Sequence, residues 1–480
     1  ESDNLTSSLL WRHKFKKLSR TLSVNTDFSS THNKNEGLLY SENNFFKNGV
    51  IDSTEIVDQL NVQNSNAKSL STKIAYTEPL GKDFYMELSH SIAWNSNENE
   101  RLTFKKSNNG KYEDLVDTLS NSFVFDRLVN TPGLNFRKNT REYNYSFGLS
   151  VGFSNFIQKN ITAGNKTNYN FTNFFPRAQF QYKFKPTTSI RFNYYGSTSA
   201  PTLEQLQPIR VNTDPLNIYL GNPDLLQSFR HSFSLNYVTN NVLKERFFMS
   251  SLSFGTTQNA FVQSSVIDNV GKRTYQTINS NGAYNINLYT SYSFRLKNKV
   301  QIGFGPRGNA YRNIDFINGV KNSTTTRNIG VGFDINRYKE NKFNFYFSPS
   351  ISWVNSKATV NTAANASYWQ LQGWSNVRVT LPMKFEISTS AETQIRQKDP
   401  RFSQNNNFTT WNASLTKLFM KENQLELKFD VFDILNENRG YNRSFSGYSF
   451  TESFYTTLKR FWLVTLTWNI SKNGKPTNGF

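Results

Sequence analysis

The 480-residue sequence predicts an all-β fold, a large antiparallel transmembrane β-barrel to which this chain contributes about nineteen strands. Three observations carry that reading. In residues 141–154 (REYNYSFGLSVGFS), Tyr143, Tyr145, Phe147, Leu149, Val151 and Phe153 hold one parity. Glu142, Asn144, Ser146, Gly148, Ser150, Gly152 and Ser154 hold the other. Successive side chains of a strand point to opposite faces, so one face is apolar and the other small and polar. A helical period would scatter these rings around an axis, and the same alternation recurs along nearly the whole chain. The second observation is compositional. Aromatics reach 15%, with 42 Phe and 23 Tyr, although hydrophobic residues total only 36%. A water-soluble core draws more on aliphatics, whereas a lipid-facing barrel wall needs aromatic girdles. The third is connection length. Short connections (80–84, 184–190, 296–300, 340–343, 382–385, 420–424) alternate with long ones (197–227, 395–408, 436–450). One-sided loop length of this kind belongs to outer-membrane barrels, and closure removes edge strands that would otherwise aggregate.

Other bulk properties agree. The mean hydropathy of −0.61 excludes only a helical membrane protein, because a barrel strand shows lipid every second residue. The longest apolar run, FWLV at 461–464, is far short of the roughly 20 residues a spanning helix needs. Without cysteine there is no disulfide framework and no thiolate metal site. A net charge of +20 fits nucleic acid, anionic lipid or solvated turns. Many basic residues lie in short connections (Lys16, Lys17, Lys82, Lys185, Lys297, Lys299, Lys342, Lys421) or on polar strand faces. No basic helix or RNA-binding motif appears, so no nucleic acid partner is expected. The opening ESDNLTSS is polar and no signal peptide, which reads as a mature chain or a fragment.

In chain order, Leu5, Leu9, Trp11 and Phe15 share a parity, and a KKLSR turn leads to Leu22, Val24 and Phe28. A long polar connection is expected from there to about Asn66, before Ile74 and Tyr76 resume the alternation. A turn at 81–83 leads to Phe84, Met86, Leu88, Ile92 and Trp94, with His90 on the same parity as an interfacial or bulge residue. Residues 107–123 read as a loop whose Asp114 and Asp117 lack any recognisable calcium-loop spacing. A weaker strand at 125–136 precedes the 141–154 strand, and an Asn-rich loop is expected near 157–173. Ala178, Phe180, Tyr182 and Phe184 then alternate with Arg177, Gln179, Gln181 and Lys183, and KPTTS turns into Ile190, Phe192 and Tyr194. After the 197–227 loop come Phe229, Phe233, Leu235 and Tyr237, then Phe248, Leu252 and Phe254. Tyr284, Ile286, Leu288, Tyr292, Phe294 and Leu296 mark another strand, and similar patterns cover 329–335, 343–353, 369–381, 385–391 and 411–419. Leu425, Leu427, Phe429 and Val431 precede a last strand with Trp462, Val464, Leu466, Trp468 and Ile470. Residues 1–471 are assigned to the barrel and 472–480 to a short periplasmic tail. If the last strand ends on the periplasmic side, counting back makes the first strand run inward too. An odd number of front strands is then missing, and three would complete a barrel of about 22, the size of plugged transporters.

Chemistry is sparse. GFGPRG at 303–308 matches a dinucleotide fingerprint as a string but lies in a strand and carries a proline, so it is a false match. His13, His32, His90 and His231 are scattered without metal-ligand spacing, and no GxSxG elbow occurs. Asp430 and Asp433, close in sequence near the penultimate strand, read as pore-lining or loop-base residues rather than an acid/base pair. No catalytic, cofactor-binding or metal-binding residue is assigned, no cofactor and no enzyme activity are expected, and the ligand-binding residues stay unidentified.

Two stretches carry a family resemblance. Residues 196–225 read GSTSAPTLEQLQPIRVNTDPLNIYLGNPDL, with QLQP at 205–208, DPLN at 214–217 and GNPDL at 221–225. The end of the chain has DILNENRGYNRSF at 433–445 and TLKRFWLVTLTWNI at 457–470. Together, over residues 120–475, this resembles the outer-membrane β-barrel family related to TonB-dependent receptors of Gram-negative envelopes. Pro201, Pro208, Pro215 and Pro223 stiffen the first stretch, which either holds a ligand-facing shape over the mouth or packs inward on the rim. The resemblance implies an N-terminal plug and a TonB-contacting segment, neither within this sequence. It also implies uptake of a scarce or bulky ligand across the outer membrane, with outer-membrane lipid, the TonB system and a surface lipoprotein as partners. The alternative is a barrel without transport, acting as adhesin, assembly scaffold or secretion-linked component.

Overall fold

The computed structural model describes residues 1–470 except 48, 207–210, 215–216, 270–271, 341, 361, 363–364, 400–404, 406, 421–422, 439 and 447–448. Among the described residues, 24 strands join in one sheet. Five of them are short and belong to connections: Tyr112–Leu115, Val211–Asp214, Asn217–Leu220, Ala260–Ile267 and Arg273–Ser280. The other nineteen form the wall. They are Ser2–Lys14, Thr21–Lys47, Val50–Gly81, Phe84–Lys106, Asn121–Asn139, Tyr143–Asn160, Asn165–Lys185, Thr188–Ser199, Ser228–Asn241 and Arg246–Gln258, then Ala283–Arg295, Gln301–Ile317, Val320–Lys339, Phe343–Lys357, Ala366–Leu381, Phe385–Arg396, Phe408–Phe419, Leu425–Phe432 and Phe461–Trp468. Each pairs antiparallel with the next in chain order. The all-β barrel wall and its strand number are as the alternation predicts.

Register keeps the parities together across the sheet. One row runs Phe180, Phe192, Leu235, Leu252, Leu288, and after Gly308 continues through Ile329, Trp353 and Trp369. These side chains lie on the outside, where Phe147, Leu149, Phe153, Phe180, Ile329 and Trp369 are all exposed large apolar residues. An apolar surface of this extent is far beyond what water tolerates on a single protein, and it is a lipid-facing band. From Tyr143 to Phe153, at about 3.3 Å per residue and a tilt of about 40°, the band rises about 25 Å, the height of an outer-membrane apolar belt. No helix among the described residues is long and apolar enough to cross a membrane.

All connections at one rim are short: 15–20, 82–83, 140–142, 186–187, 242–245, 296–300, 340–342, 382–384 and 420–424. The opposite rim carries 107–120, 200–227, 259–282, 397–407 and 433–460. Both wall edges, Ser2–Lys14 and Phe461–Trp468, run toward the short-turn rim, since one leads into 15–20 and the other leaves 433–460.

Three expectations are corrected. The polar connection expected up to Asn66 is a hairpin, its strands Thr21–Lys47 and Val50–Gly81 holding a continuous ladder from Thr21–Thr77 to Phe45–Ser53. At 27 and 32 residues they far exceed the roughly 9–11 that span a bilayer. Beyond the lipid neither parity has to be apolar, so the alternation fades while the backbone ladder continues. For the same reason the Asn-rich loop expected at 157–173 shrinks to 161–164, with Asn160 paired to Asn165. The 107–123 loop likewise holds strand Tyr112–Leu115, which pairs Asp114 with Lys105, and a 3-10 turn at Asp117–Leu119. His90 lies in a regular stretch between Ile74 and Pro132, so it sits on the lipid-facing side without a bulge.

Candidate functional site: the lumen and the outer mouth

The polar parity lines the lumen. A continuous row passes from Ser146 through Gln179, Asn193, Ser234, Ser253, Asn287 and Asn309 to Asn328, one residue per strand. Neighbours in it share hydrogen bonds. Asn193 Nδ2 donates to Ser234 Oγ at 2.9 Å, and Asn287 Nδ2 to Ser253 Oγ at 3.3 Å. One row below, Ser251 Oγ donates to Asn236 Oδ1 at 2.8 Å and Arg191 to Gln181 Oε1 at 3.2 Å. Amides and hydroxyls satisfy one another here and still offer donors and acceptors to a passing solute.

Several luminal charges come in pairs. Arg307 Nη2 meets Asp334 Oδ2 at 2.9 Å, and Asp334 Oδ1 also accepts from Tyr346 at 3.0 Å and Ser348 at 2.6 Å. The Arg307 guanidinium lies 5.3 Å over the Tyr289 ring. Glycine at 332 makes this possible, because a Cβ there would fall 2.3 Å from Arg307 Cζ. Beside the cluster runs a groove of 360 Å³ lined by Asn287, Asn309, Asn328, Ser350, Ser352 and Gln372. Glu87 and Arg177 pair at 3.6 Å, and Lys428 pairs with Asp430 at 2.8 Å. A partly desolvated charge left alone would cost several kcal/mol, which these pairs avoid.

The outer mouth is built from the long connections. Hairpin Ala260–Ile267/Arg273–Ser280 packs Ala260 and Val262 against Ile314 at the outer end of strand Gln301–Ile317. Strand Asn217–Leu220 of the 200–227 loop lies parallel to Arg273–Ser280. Asn279 fastens the two, its Oδ1 accepting from Leu226 N at 2.7 Å and its Nδ2 donating to Leu226 O at 3.0 Å and Asn259 O at 2.8 Å. Asn222 Nδ2 donates to Thr277 O at 3.0 Å, and Leu206, Ile218 and Leu225 are buried beneath. Of the two roles open to this loop, packing on the rim describes residues 217–227. Parts of its QLQP and DPLN segments, 207–208 and 215–216, lie outside the described residues. Farther along the rim, Lys272 meets Glu55 of the long hairpin at 3.6 Å over a cleft of 560 Å³ that also takes in Asp58, Gln59 and Lys106. Tyr112 donates to Asp58 at 2.6 Å, and this bond holds its phenol above the usual tyrosine range.

The residues singled out in the sequence do not converge. His13 stacks on Trp11 in the first strand, His32 bonds Asn66 at 2.6 Å, and His231 meets Tyr194 at 3.1 Å. GFGPRG lies within strand Gln301–Ile317, whose ladder skips from Tyr289–Arg307 to Tyr292–Phe304, with Pro306 in the gap. Asp433 closes a loop base, accepting from Glu437 N and Asn438 N at 3.0 Å each, while Asp430 faces the lumen. The Arg307–Asp334–Tyr346 cluster and the 260–280 hairpin escaped the sequence reading, and the glycines at 330 and 332 were the one local hint of the cluster.

With this geometry in view, comparisons place the chain. No curated protein sequence matches it. Among solved structures, the unliganded ferric citrate transporter FecA is similar with a TM-score of 0.53 at 10% identity, over 97% of this chain and 61% of that one. P. aeruginosa FpvA bound to an iron pyoverdine is similar with a TM-score of 0.54 at 10% identity, over 97% and 56%. The copper transporter OprC gives 0.51 at 10% identity, over 97% and 66%. Identities this low establish a shared fold, and the chain spans less than two thirds of each. The profile of the outer membrane protein β-barrel family matches residues 13–468. The resemblance of the 196–225 and 433–470 stretches is thereby borne out, and the chain belongs to that outer-membrane family.

Proposed function

We propose that this chain is the wall and outer mouth of a receptor-type transporter that takes up a scarce or bulky ligand across the outer membrane. The observation that carries the reading is the combination of a hydrogen-bonding lumen with an outer rim whose long connections are folded against one another rather than splayed. A plain pore needs no such mouth, and an adhesin needs no such lumen. Residues of the mouth meet the ligand, the polar row conducts it, and the protein does no covalent chemistry. A plug preceding this chain would fill the lumen and take energy from TonB, and three strands ahead of Glu1 would complete a wall of about 22 strands.

The test is the intact mass and N-terminal sequence of the native protein taken from outer membranes, followed by cross-linking to TonB. The expected result is a polypeptide well above 55.5 kDa, with extra sequence ahead of Glu1 and a TonB adduct. A surface lipoprotein over the mouth should appear in the same preparation. A native protein that begins at Glu1 and gives no TonB adduct would overturn the proposal.

A further inference from the structure

The charge of the chain is not spread evenly over the barrel. The nine short connections hold eleven basic and five acidic residues, whereas the connections of the opposite rim hold ten basic and eleven acidic. Some short-rim charge is neutralised in place. Glu78 takes Lys17 at 2.6 Å and Arg20 at 2.7 Å, Glu245 takes Arg295 at 2.9 Å, and Glu386 takes Arg378 at 3.2 Å. Asp83, Glu142 and Glu340 are the further described carboxylates in these turns. Lys82, Lys185, Lys244, Lys297, Lys299 and Lys342 are all exposed and have no acidic partner among the described residues.

These cations stand next to apolar side chains that also face outward. Leu80 precedes Lys82, Phe184 precedes Lys185, Leu243 precedes Lys244, and Leu296 precedes Lys297. Leu243 is 98% exposed, and Leu18 and Met383 of two other turns are 77% and 76% exposed. A solvated turn has no use for a fully exposed leucine at its tip. At the edge of a bilayer the arrangement is favourable, because the apolar chain dips toward the acyl region while the ammonium stays at headgroup level. The turns are at that level, since the 140–142 turn adjoins the stacked Tyr143–Tyr145 pair at the foot of the lipid-facing band.

We propose that the short-turn rim is a collar that binds the anionic phospholipid headgroups of the membrane leaflet it faces. Phosphodiester oxygens accept from the lysine ammoniums, and the neighbouring apolar side chains seat each turn in the leaflet. The collar accounts for a net six of the +20 charges without nucleic acid. It does not rest on the transport reading.

The experiment uses the full chain in nonionic micelles doped with equal amounts of phosphatidylglycerol and phosphatidylcholine carrying the same acyl chains. Native mass spectrometry reads the lipid retained. With each cation worth about fivefold near an anionic surface, phosphatidylglycerol should be retained at least about tenfold over phosphatidylcholine, less so as salt rises. The combined substitution Lys82→Gln, Lys244→Gln, Lys297→Gln and Lys299→Gln should bring the ratio to about twofold or below, while arginines at the same four positions should keep it. Glutamines at Lys159 and Lys166, which pair with each other near the opposite rim, should leave it unchanged. Heat-dependent gel mobility checks that each variant folds, and the arginine set with the salt titration carries the test if the glutamine set does not. Equal retention of the two lipids overturns the collar, as does a preference that survives the four glutamines and falls with Lys159 and Lys166.

Discussion

Leu149 is 46% exposed, and its register partners Leu134 and Pro176 share the same outward face. In water such a side chain would be indifferent to replacement by a charge. In a barrel wall it is solvated by acyl chains, and depth sets the cost of an arginine. Leu149→Arg, near the middle of the band, should destabilise the folded barrel by about 2–4 kcal/mol, whereas Tyr143→Arg at the foot should cost about 1 kcal/mol or less from its charge. Urea midpoints of the protein folded into lipid vesicles give both numbers. Equal midpoints for the two variants would remove the assignment of this face to lipid. The opposite parity obeys different rules: Asn193, Asn236 and Asn287 are tied to the hydroxyls of Ser234, Ser251 and Ser253, so polarity there is built in rather than incidental.

Among the elements, the 260–280 hairpin holds the mouth together, because Asn279 joins it to Leu226 and Asn259 through three hydrogen bonds. Asn279→Ala should weaken docking of residues 217–227 by roughly 1–3 kcal/mol, the cost of leaving those backbone groups without partners. Hydrogen exchange of that segment should accelerate about tenfold or more while the wall strands stay protected, and an unchanged rate would mean that Leu206, Ile218 and Leu225 alone hold the loop. Legibility in the sequence divided along the same line as the physics. Strands in lipid were readable because one parity must be apolar, as in Tyr143–Asn160, and their turns were readable because they are short. The overhang of Thr21–Lys47 on Val50–Gly81 was not, since a backbone ladder leaves no trace in residue type and polar cross-strand pairs such as His32–Asn66 impose no period. The 260–280 hairpin was missed because its strands are eight residues each and bury only a narrow seam. Arg307, Asp334 and Tyr346 lie far apart in sequence and meet only through the register of three strands.

At the scale of the whole barrel, the direction of the two edge strands decides how the wall closes. Ser2–Lys14 and Phe461–Trp468 both run toward the short-turn rim, so joining them directly would make one parallel pair in an otherwise antiparallel wall. Open backbone edges are not tolerated in lipid, so some closure must exist. A nineteen-stranded barrel with a parallel seam is one solution, known from a mitochondrial channel. An odd number of intervening antiparallel strands is the other, and three of them, as in the proposed full receptor, set the edges about 19 Å apart at about 4.8 Å per strand. Cysteines decide between these, because a disulfide forms only when the two Cα atoms come within about 7 Å. Ser8→Cys would be combined in turn with Leu463→Cys, Thr465→Cys and Thr467→Cys, all on the parity opposite Leu9 and Trp462, so that the register need not be known. In native outer membranes none of the three pairs should oxidise to a disulfide, while a flexible bis-maleimide of about 20 Å reach should join at least one. A disulfide in any pair would place the edges side by side, establish the parallel seam, and remove the structural reason for strands ahead of Glu1.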